Sequence, residues 1–340
     1  MAKTVLGRTG LAVERNAFGA LPIQRISDEA AVALVRRAVD GGMDFIDTAR
    51  SYTDSEHKLG LAFGGNWEGI TLATKTHALD AETFWQHLHT SLTELKRDYI
   101  DIYQFHNPAF CPKPGGEDGL YDAALEAKRQ GKIRFIGITN HRLSVAHEAI
   151  ESGLYDTLQF PFSYLSTEKE LELVNKTREA GMGFIAMKAL SGGLITHSAA
   201  ACAWLMEHEG VVPIWGIQRD WELDEFLSYI PDAPVLTDEM RAVIDADRAV
   251  LQGEFCRGCG YCMPCPQGIE INTCARASLL LRRAPSESLL NEDGQQKMKK
   301  IEDCTSCGAC AAKCPYGLDT PALLQRNYQD YREVLAGKPL

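Results

Sequence analysis

The chain has 340 residues, 45% of them hydrophobic, with 35 Lys and Arg against 46 Asp and Glu for a formal net charge of -11. That is enough apolar chain for one large core plus a small appendage, and it argues against extensive disorder. The acidic balance, with no Lys/Arg run, argues against nucleic acid and anionic membrane surfaces as partners.

From the N-terminus, short apolar runs of strand character alternate with longer segments of helical period, the pattern of repeated βα units on a parallel sheet. Strands are predicted over Ala17 to Leu21, Phe45 to Asp47, Thr71 to Lys75, Ile100 to Phe105, Phe135 to Ile138, Thr157 to Phe160, Gly183 to Met187 and Val212 to Gly216. Amphipathic helices are predicted over Asp28 to Val39, Ala81 to Leu95, Tyr121 to Arg129, Ser144 to Glu151, Lys169 to Glu179, Ala199 to Glu207 and Leu223 to Tyr229. Eight such units in about 230 residues predict an α/β chain folded as a (β/α)8 TIM barrel. A doubly wound sheet is the alternative, but no G-x-G-x-x-G follows the first strand. A further helix is predicted over Asp238 to Leu251, and the composition changes at Gly253. The expected domains are therefore a barrel over residues 1–252 and a cysteine-rich tail over residues 253–340.

Eight of the eleven cysteines lie in two runs of that tail, Cys256-Arg-Gly-Cys259-Gly-Tyr-Cys262-Met-Pro-Cys265-Pro266 and Cys304-Thr-Ser-Cys307-Gly-Ala-Cys310-Ala-Ala-Lys-Cys314-Pro315. The second run has the bacterial ferredoxin spacing C-x2-C-x2-C-x3-C-P, in which the fourth cysteine ligates the other cluster. On that rule Cys256, Cys259, Cys262 and Cys314 hold one 4Fe-4S cluster, and Cys304, Cys307, Cys310 and Cys265 the other. The first run is one residue short before Cys265, which leaves Cys274 as the substitute. Zinc is the competing metal, but two triple runs, each with a later Cys-Pro, are denser than zinc ribbons need. Disulfides are disfavoured on compartment grounds. Met1 to Arg15 lacks the apolar core of a secretory signal and no stretch of about 18 apolar residues occurs, so a reducing cytoplasm is expected. Cys111 and Cys202 read as buried small hydrophobes. Between the runs, Ala275 to Arg283 is helix-prone and Ser286 to Lys300 reads as a solvated loop or helix face.

In a barrel of this kind chemistry gathers where the strands end and the βα loops converge. Asp47 ends the second strand, Tyr52 follows in its loop, Lys75 ends the third strand and His106 the fourth. A lysine buried beside Asp47 needs the carboxylate, and in turn favours phenolate at Tyr52, lowering a tyrosine pKa from about 10 toward neutrality. Tyr52 then becomes a usable acid. A neutral His106 donates a hydrogen bond that orients a carbonyl oxygen and helps stabilise the developing alkoxide.

Through Asp47-Thr-Ala-x-x-Tyr52, Ser55-Glu56-x-x-Leu59-Gly60, Lys75 and His106 the chain resembles the aldo-keto reductases. Tail included, it resembles the subgroup with a C-terminal ferredoxin-like domain, whose first cysteine run is similar to Cys259-Gly-Tyr-Cys262-Met-Pro-Cys265-Pro266-Gln-Gly. The resemblance implies the barrel, Asp47, Tyr52, Lys75 and His106 as catalytic tetrad, and NADPH as the usual cofactor. It further implies that Thr139 and Asn140, with Gln159, hold the nicotinamide carboxamide. Met187 would pack on the ring where many relatives place an aromatic, beside Lys188 at the end of strand seven. Phosphate loops are implied around Ala189 to Leu194 and around Gly216, Gln218 and Arg219, with Arg219 and Gln218 as partners for a 2′-phosphate. Trp215-Gly216 replaces a common Pro-Gly and Phe226 stands where an adenine-contacting Asn is frequent, so NADP and NAD both stay open.

The expected function is an oxidoreductase moving hydride between NAD(P)H and a small carbonyl or alcohol substrate. Its two-cluster module would serve electron transfer, redox sensing or structure. Hydride transfer moves two electrons at once whereas a cluster passes one, which motivates an alternative. In it the chain is an iron-sulfur electron-transfer protein that meets a redox partner protein, and its barrel is a docking or flavin-binding scaffold. The intact tetrad favours the first reading. Phe110, Phe162 and Tyr164 are candidate walls of the substrate pocket.

Overall fold

In a computed structural model, which describes residues 3–251, 255–283 and 287–339, eight parallel strands close into a barrel. They are β1 (Ala17–Gly19), β2 (Phe45–Asp47), β3 (Thr71–Thr76), β4 (Ile100–His106), β5 (Ile133–Thr139), β6 (Thr157–Pro161), β7 (Gly183–Met187) and β8 (Val211–Gly216). The ring closes between β8 and β1, with Ile214 opposite Ala17 and Gly216 opposite Gly19. Each predicted strand is present. The differences lie at the ends: β1 stops at Gly19 because Leu21–Arg25, with Pro22 early in it, turns as a 3-10 helix.

The helices between strands follow the usual physical rules. Asp28–Asp40 starts at Ser27, whose hydroxyl accepts from the Ala30 amide, and it buries Ala31, Leu34, Val35 and Ala38 against the barrel. The helix Ser55–Phe63 was not among the predicted elements, since its residues were read as a motif. Their spacing now has a packing reason. Gly60 faces the chain at Glu94, and a methyl group there would collide with the Glu94 carbonyl oxygen. Gly60→Ala is therefore expected to cost about 1–3 kcal/mol through overpacking. Thermal melting checks this, and an unchanged transition would show that the two helices part freely.

The barrel interior is layered. At its base Ala17, Phe45, Ala73, Ile102, Ile185 and Val212 meet Leu6, just after the N-terminal strand Thr4–Val5, and Val13 of its antiparallel partner Ala12–Val13. Strand alternation then puts the next inward positions one level up. That level is polar, because Asp47, Lys75, Gln104 and Gln159 share it.

By internal contacts the chain forms two compact units, Met1–Ala189 with Cys202–Leu236, and Leu190–Ala201 with Thr237–Leu340. The expected boundary at Gly253 lies outside the described residues. In the second unit the helix Asp238–Leu251 forms as predicted, and Ile269, Ile271, Leu281, Met298, Ile301, Leu324 and Tyr331 make a separate core. The stretch read as solvated contains two helices, Glu287–Leu290 and Glu292–Lys299, and it buries Met298 completely, so it contributes to that core. The unpredicted helix Thr320–Leu335 begins at Asp319, whose carboxylate accepts from the Ala322 amide, and it turns Leu323, Leu324, Asn327 and Tyr331 inward. Among the described residues no helix is long and apolar enough to cross a membrane.

Candidate active site and cysteine cavities

The register of the strands assembles the polar level. Gly19 lies opposite Asp47, Lys75 opposite Gln104, and Gln104 opposite Gly137. Lys75 Nζ donates to Asp47 Oδ2 at 2.6 Å and to the Thr48 carbonyl at 2.6 Å. Asp47 Oδ1 also accepts from Gln104 Nε2 at 3.3 Å, and Oδ2 from Gln159 Nε2 at 3.4 Å, while Gln104 Nε2 donates to Gln159 Oε1 at 2.9 Å. All four side chains are buried. Burial pushes the Asp47 carboxyl up and the Lys75 ammonium down, and the contact between them opposes both. Three donors converge on Asp47, so the ionised carboxylate is the form this network holds.

Gln104 is not among the residues the sequence singles out. It lies two residues before His106, on the same face of β4, and that period was the available signal. Its room comes from Gly137, where a Cβ would sit 2.8 Å from Gln104 Cγ.

Above this level Tyr52 and His106 meet edge to face, with ring centroids 5.8 Å apart at 82°. Lys75 Nζ lies 5.3 Å from the Tyr52 ring centroid. The sequence-predicted tetrad is therefore one cluster. Burial, then the nearby Lys75 charge, then His77, pull the His106 pKa down to about 3, so its imidazole is neutral at ordinary pH. Ser51 Oγ lies 3.2 Å from His106 Nδ1. If the hydroxyl donates there, Nε2 carries the ring proton and is the donor available to a ligand. Ser51 was another residue the sequence reading passed over. Arg50 pairs with Glu56 at 2.5 Å, and Glu56 also accepts from Thr74 at 2.6 Å, which ties the Tyr52 loop to β3.

The residues implied for a nicotinamide cofactor divide into two groups. Thr139 and Met187 end β5 and β7, the two strands that flank β6, and the Thr139 hydroxyl lies 3.8 Å from the Met187 sulfur. Asn140 follows, but its amide donates to the Pro108 carbonyl at 2.8 Å and its Oδ1 accepts from the His141 and Arg142 amides, so it shapes the turn into the helix Leu143–Ser152. Gln159 belongs to the Asp47 network. Lys188 follows Met187 in left-handed conformation, at φ 55°. Gly216 is exposed at the end of β8, Gln218 is half-buried, and exposed Arg219 already pairs with Glu222 at 3.1 Å. Phe226 stacks on Trp215 at 4.4 Å and 19°, buried in the core. Of the expected pocket walls Phe110 is exposed, whereas Phe162 packs against Phe184, Trp204 and His208 and is buried, as is Tyr164.

In the second unit Cys256, Cys259, Cys262 and Cys314 line one cavity, closed by Ile271, Leu318 and Leu323. Cys262, Cys265, Cys304, Cys307 and Cys310 line another, with Ile269, Ile271 and Leu324. Cys274 lines neither; it is buried in the core with its thiol toward the Lys297 carbonyl at 3.6 Å. None of the eleven cysteines is in a disulfide, and among the described residues no three or more His, Cys, Asp or Glu converge as ligands of a single ion. Thiols arranged around an apolar cavity fit a multi-atom cluster, whereas a tetrahedral zinc site draws its sulfurs to about 2.3 Å from one point. Cys307 is the exposed member of the second set.

Residues 16–200 match the model of the aldo/keto reductase family, and residues 255–319 match that of a 4Fe-4S dicluster domain. The chain is 31% identical over 226 residues to an uncharacterized oxidoreductase, YrpG, of Bacillus subtilis, covering 57% of this chain and 68% of that protein. It is 31% identical over 214 residues to L-galactose dehydrogenase of Arabidopsis thaliana, covering 56% of this chain and 66% of that one. To methylglyoxal reductase DkgB of Salmonella typhi it is 29% identical over 229 residues, covering 64% of this chain and 82% of the relative. The first curated relatives are thus matched over about two thirds of their own length. Among solved structures, the holo form of an aldo-keto reductase from Bacillus halodurans superposes with TM-score 0.64 at 22% identity, covering 73% of this chain and 96% of that one. An aldo/keto reductase from Klebsiella pneumoniae, solved with NADP and acetate, gives 0.62 at 23%, covering 75% and 98%. At these identities the structural likeness speaks for the fold.

Proposed function

The chain belongs to the aldo/keto reductase family and carries a 4Fe-4S dicluster domain, and from that premise we propose that it moves hydride between a nicotinamide dinucleotide and a small carbonyl or alcohol. The observation that carries the reading is the buried Asp47–Lys75 pair directly beneath Tyr52, with neutral His106 alongside. A bound nicotinamide supplies the hydride in reduction and accepts it in oxidation. Everything else is the work of side chains. In reduction Tyr52 gives its phenol proton to the substrate oxygen, and the Lys75 ammonium, anchored by Asp47, stabilises the phenolate left behind. His106 donates its Nε2 proton in a hydrogen bond to the same oxygen, orienting the carbonyl and sharing the charge that develops. Thr139 and Met187 are assigned to the nicotinamide end, with Asn140 and Gln159 acting mainly by shaping the turn and the polar level. Lys188, Gly216, Gln218 and Arg219 are assigned to the phosphates. Arg219 must leave Glu222 to bind a 2′-phosphate, so the preference for NADP over NAD is small.

The reductase is placed in residues 1–252 and the iron-sulfur module in residues 253–340. Cys256, Cys259, Cys262 and Cys314 hold the first cluster, and Cys265, Cys304, Cys307 and Cys310 the second, where the clusters supply one-electron transfer. Anaerobic purification should give about eight irons with matching sulfide. Cys274→Ser should leave that content intact, while Cys265→Ser should lower it; the opposite pattern would move the eighth ligand to Cys274. Bleaching of the cluster absorbance by NADPH would show that the two modules exchange electrons. The reductase reading is tested by NADPH oxidation with methylglyoxal and by NAD(P) reduction with L-galactose, the substrates in two relatives' names. Activity confined to reduced ferredoxin or viologen would overturn it.

A further inference from the structure

The first cysteine cavity has a cation behind it. Arg276 follows the short helix Ile271–Cys274, and its guanidinium is sandwiched between two glycines. On one side is Gly258, which lies between Cys256 and Cys259. A Cβ there would sit 2.6 Å from Arg276 Nη1, 2.8 Å from Cζ and 3.2 Å from Nε. On the other is Gly192, where a Cβ would sit 2.8 Å from Nη1, and whose carbonyl accepts from Nη1 at 3.2 Å. Both glycines have positive φ, 63° and 68°, so neither the space nor the backbone admits a side chain.

The charge itself is poorly compensated by the polypeptide. Arg276 Nε is fully covered without a hydrogen-bond partner, and no carboxylate pairs with the guanidinium among the described residues. A half-buried cation in that state costs free energy unless an anion stands nearby. The thiolates at Cys256 and Cys259, which Arg276 senses electrostatically, supply it once they carry a cluster.

We propose that Arg276 sets the reduction potential of the first cluster site, its fixed positive charge behind Cys256 and Cys259 holding that potential above the value the site would otherwise have. The inference rests on the ligand sets assigned above. Reduction adds one negative charge to the cluster, a nearby cation stabilises the added electron, and hydrogen bonds and net charge around the sulfurs are established levers on such potentials. Gly192 lies within Ala189 to Leu194, the loop after β7 to which the family resemblance assigns dinucleotide phosphates. One side chain therefore holds both that segment and the first cysteine run.

The experiment is a dithionite titration of the anaerobically purified full-length protein, followed by electron paramagnetic resonance. The two signals are assigned with Cys307→Ser, which removes a ligand of the second site only. Arg276→Gln is expected to lower the first midpoint by at least a tenfold change in the reduced-to-oxidised ratio, about 59 mV for one electron. The second midpoint should stay in place, and Arg276→Lys, which keeps the charge, should shift the first by less. Gly192→Ala keeps the arginine but displaces it, so it should move the same midpoint in the same direction even if Arg276→Gln fails to load iron. An unchanged first midpoint in Gly192→Ala and in loaded Arg276→Gln, or equal movement of both midpoints, would overturn the proposal. A parent protein lacking about eight irons would instead sink the ligand assignment, and the proposal with it.

Discussion

Tyr52→Phe is expected to lower kcat for NADPH-dependent reduction of methylglyoxal by about 10²–10⁴-fold, the contribution of a positioned general acid. The ring keeps its place against His106 and above Lys75, since both contacts are made by the aromatic face and edge. NADPH binding, followed by quenching of protein fluorescence, should therefore be unchanged, as should the melting temperature. A phenylalanine variant that keeps parental kcat would remove Tyr52 from the mechanism. The pH profile adds an independent check. His106 is held to about 3 by burial and by Lys75, so it stays neutral across roughly pH 5–8, where an ordinary histidine titrates. Any limb in that range should vanish in Tyr52→Phe and survive in Ser51→Ala, unless it belongs to the substrate.

Lys75→Met is expected to cost about 3–5 kcal/mol of stability as well as activity, because it leaves Asp47 buried without its counter-charge. For a domain of this size that corresponds to a fall in Tm on the order of 10 °C. The loss should depend on pH with a definite sign. Burial already raises the Asp47 pKa, and removing Lys75 raises it further, so the folded variant binds a proton more tightly than the unfolded chain does. Stability is then favoured at low pH and lost as pH rises through the folded pKa. The deficit relative to the parent should be smaller near pH 5 than near pH 8. The double variant Asp47→Asn/Lys75→Met leaves no charge unpaired and should recover most of the stability while staying inactive. Denaturant melts of the parent and both variants at both pH values measure this. A double variant no more stable than Lys75→Met would show that the loss comes from packing, not from the stranded carboxylate.

Much of the barrel was readable because its signal is local. Each strand is a short apolar run and each helix an amphipathic one, and chain order alone places Asp47, Lys75 and His106 at strand ends. The elements that escaped depend on partners distant in the chain. The helix Ser55–Phe63 exists at its tight packing distance because Gly60 admits the Glu94 carbonyl, and the helix Thr320–Leu335 is amphipathic only with respect to the tail's own core. Phe162 reads as a loop aromatic near the mouth, yet Phe184, Trp204 and His208 enclose it, which only the fold decides.

The same division runs through the candidate sites. By itself the sequence determined the residue types and their order: a tetrad at the ends of three strands and one loop, and two cysteine runs whose spacing names the cluster type. Tertiary structure decided what those residues lean on. Strand register brought Gln104 and Gln159 onto Asp47, a turn engaged the amide of Asn140, and the fold of the tail buried Cys274 away from both cavities while setting Arg276 behind Cys256 and Cys259. The reason is physical. A spacing rule reports neighbours along one element, whereas desolvation and hydrogen bonding depend on side chains that meet across long stretches of chain, as Gln104 and Gln159 do with Asp47 at 57 and 112 residues' separation.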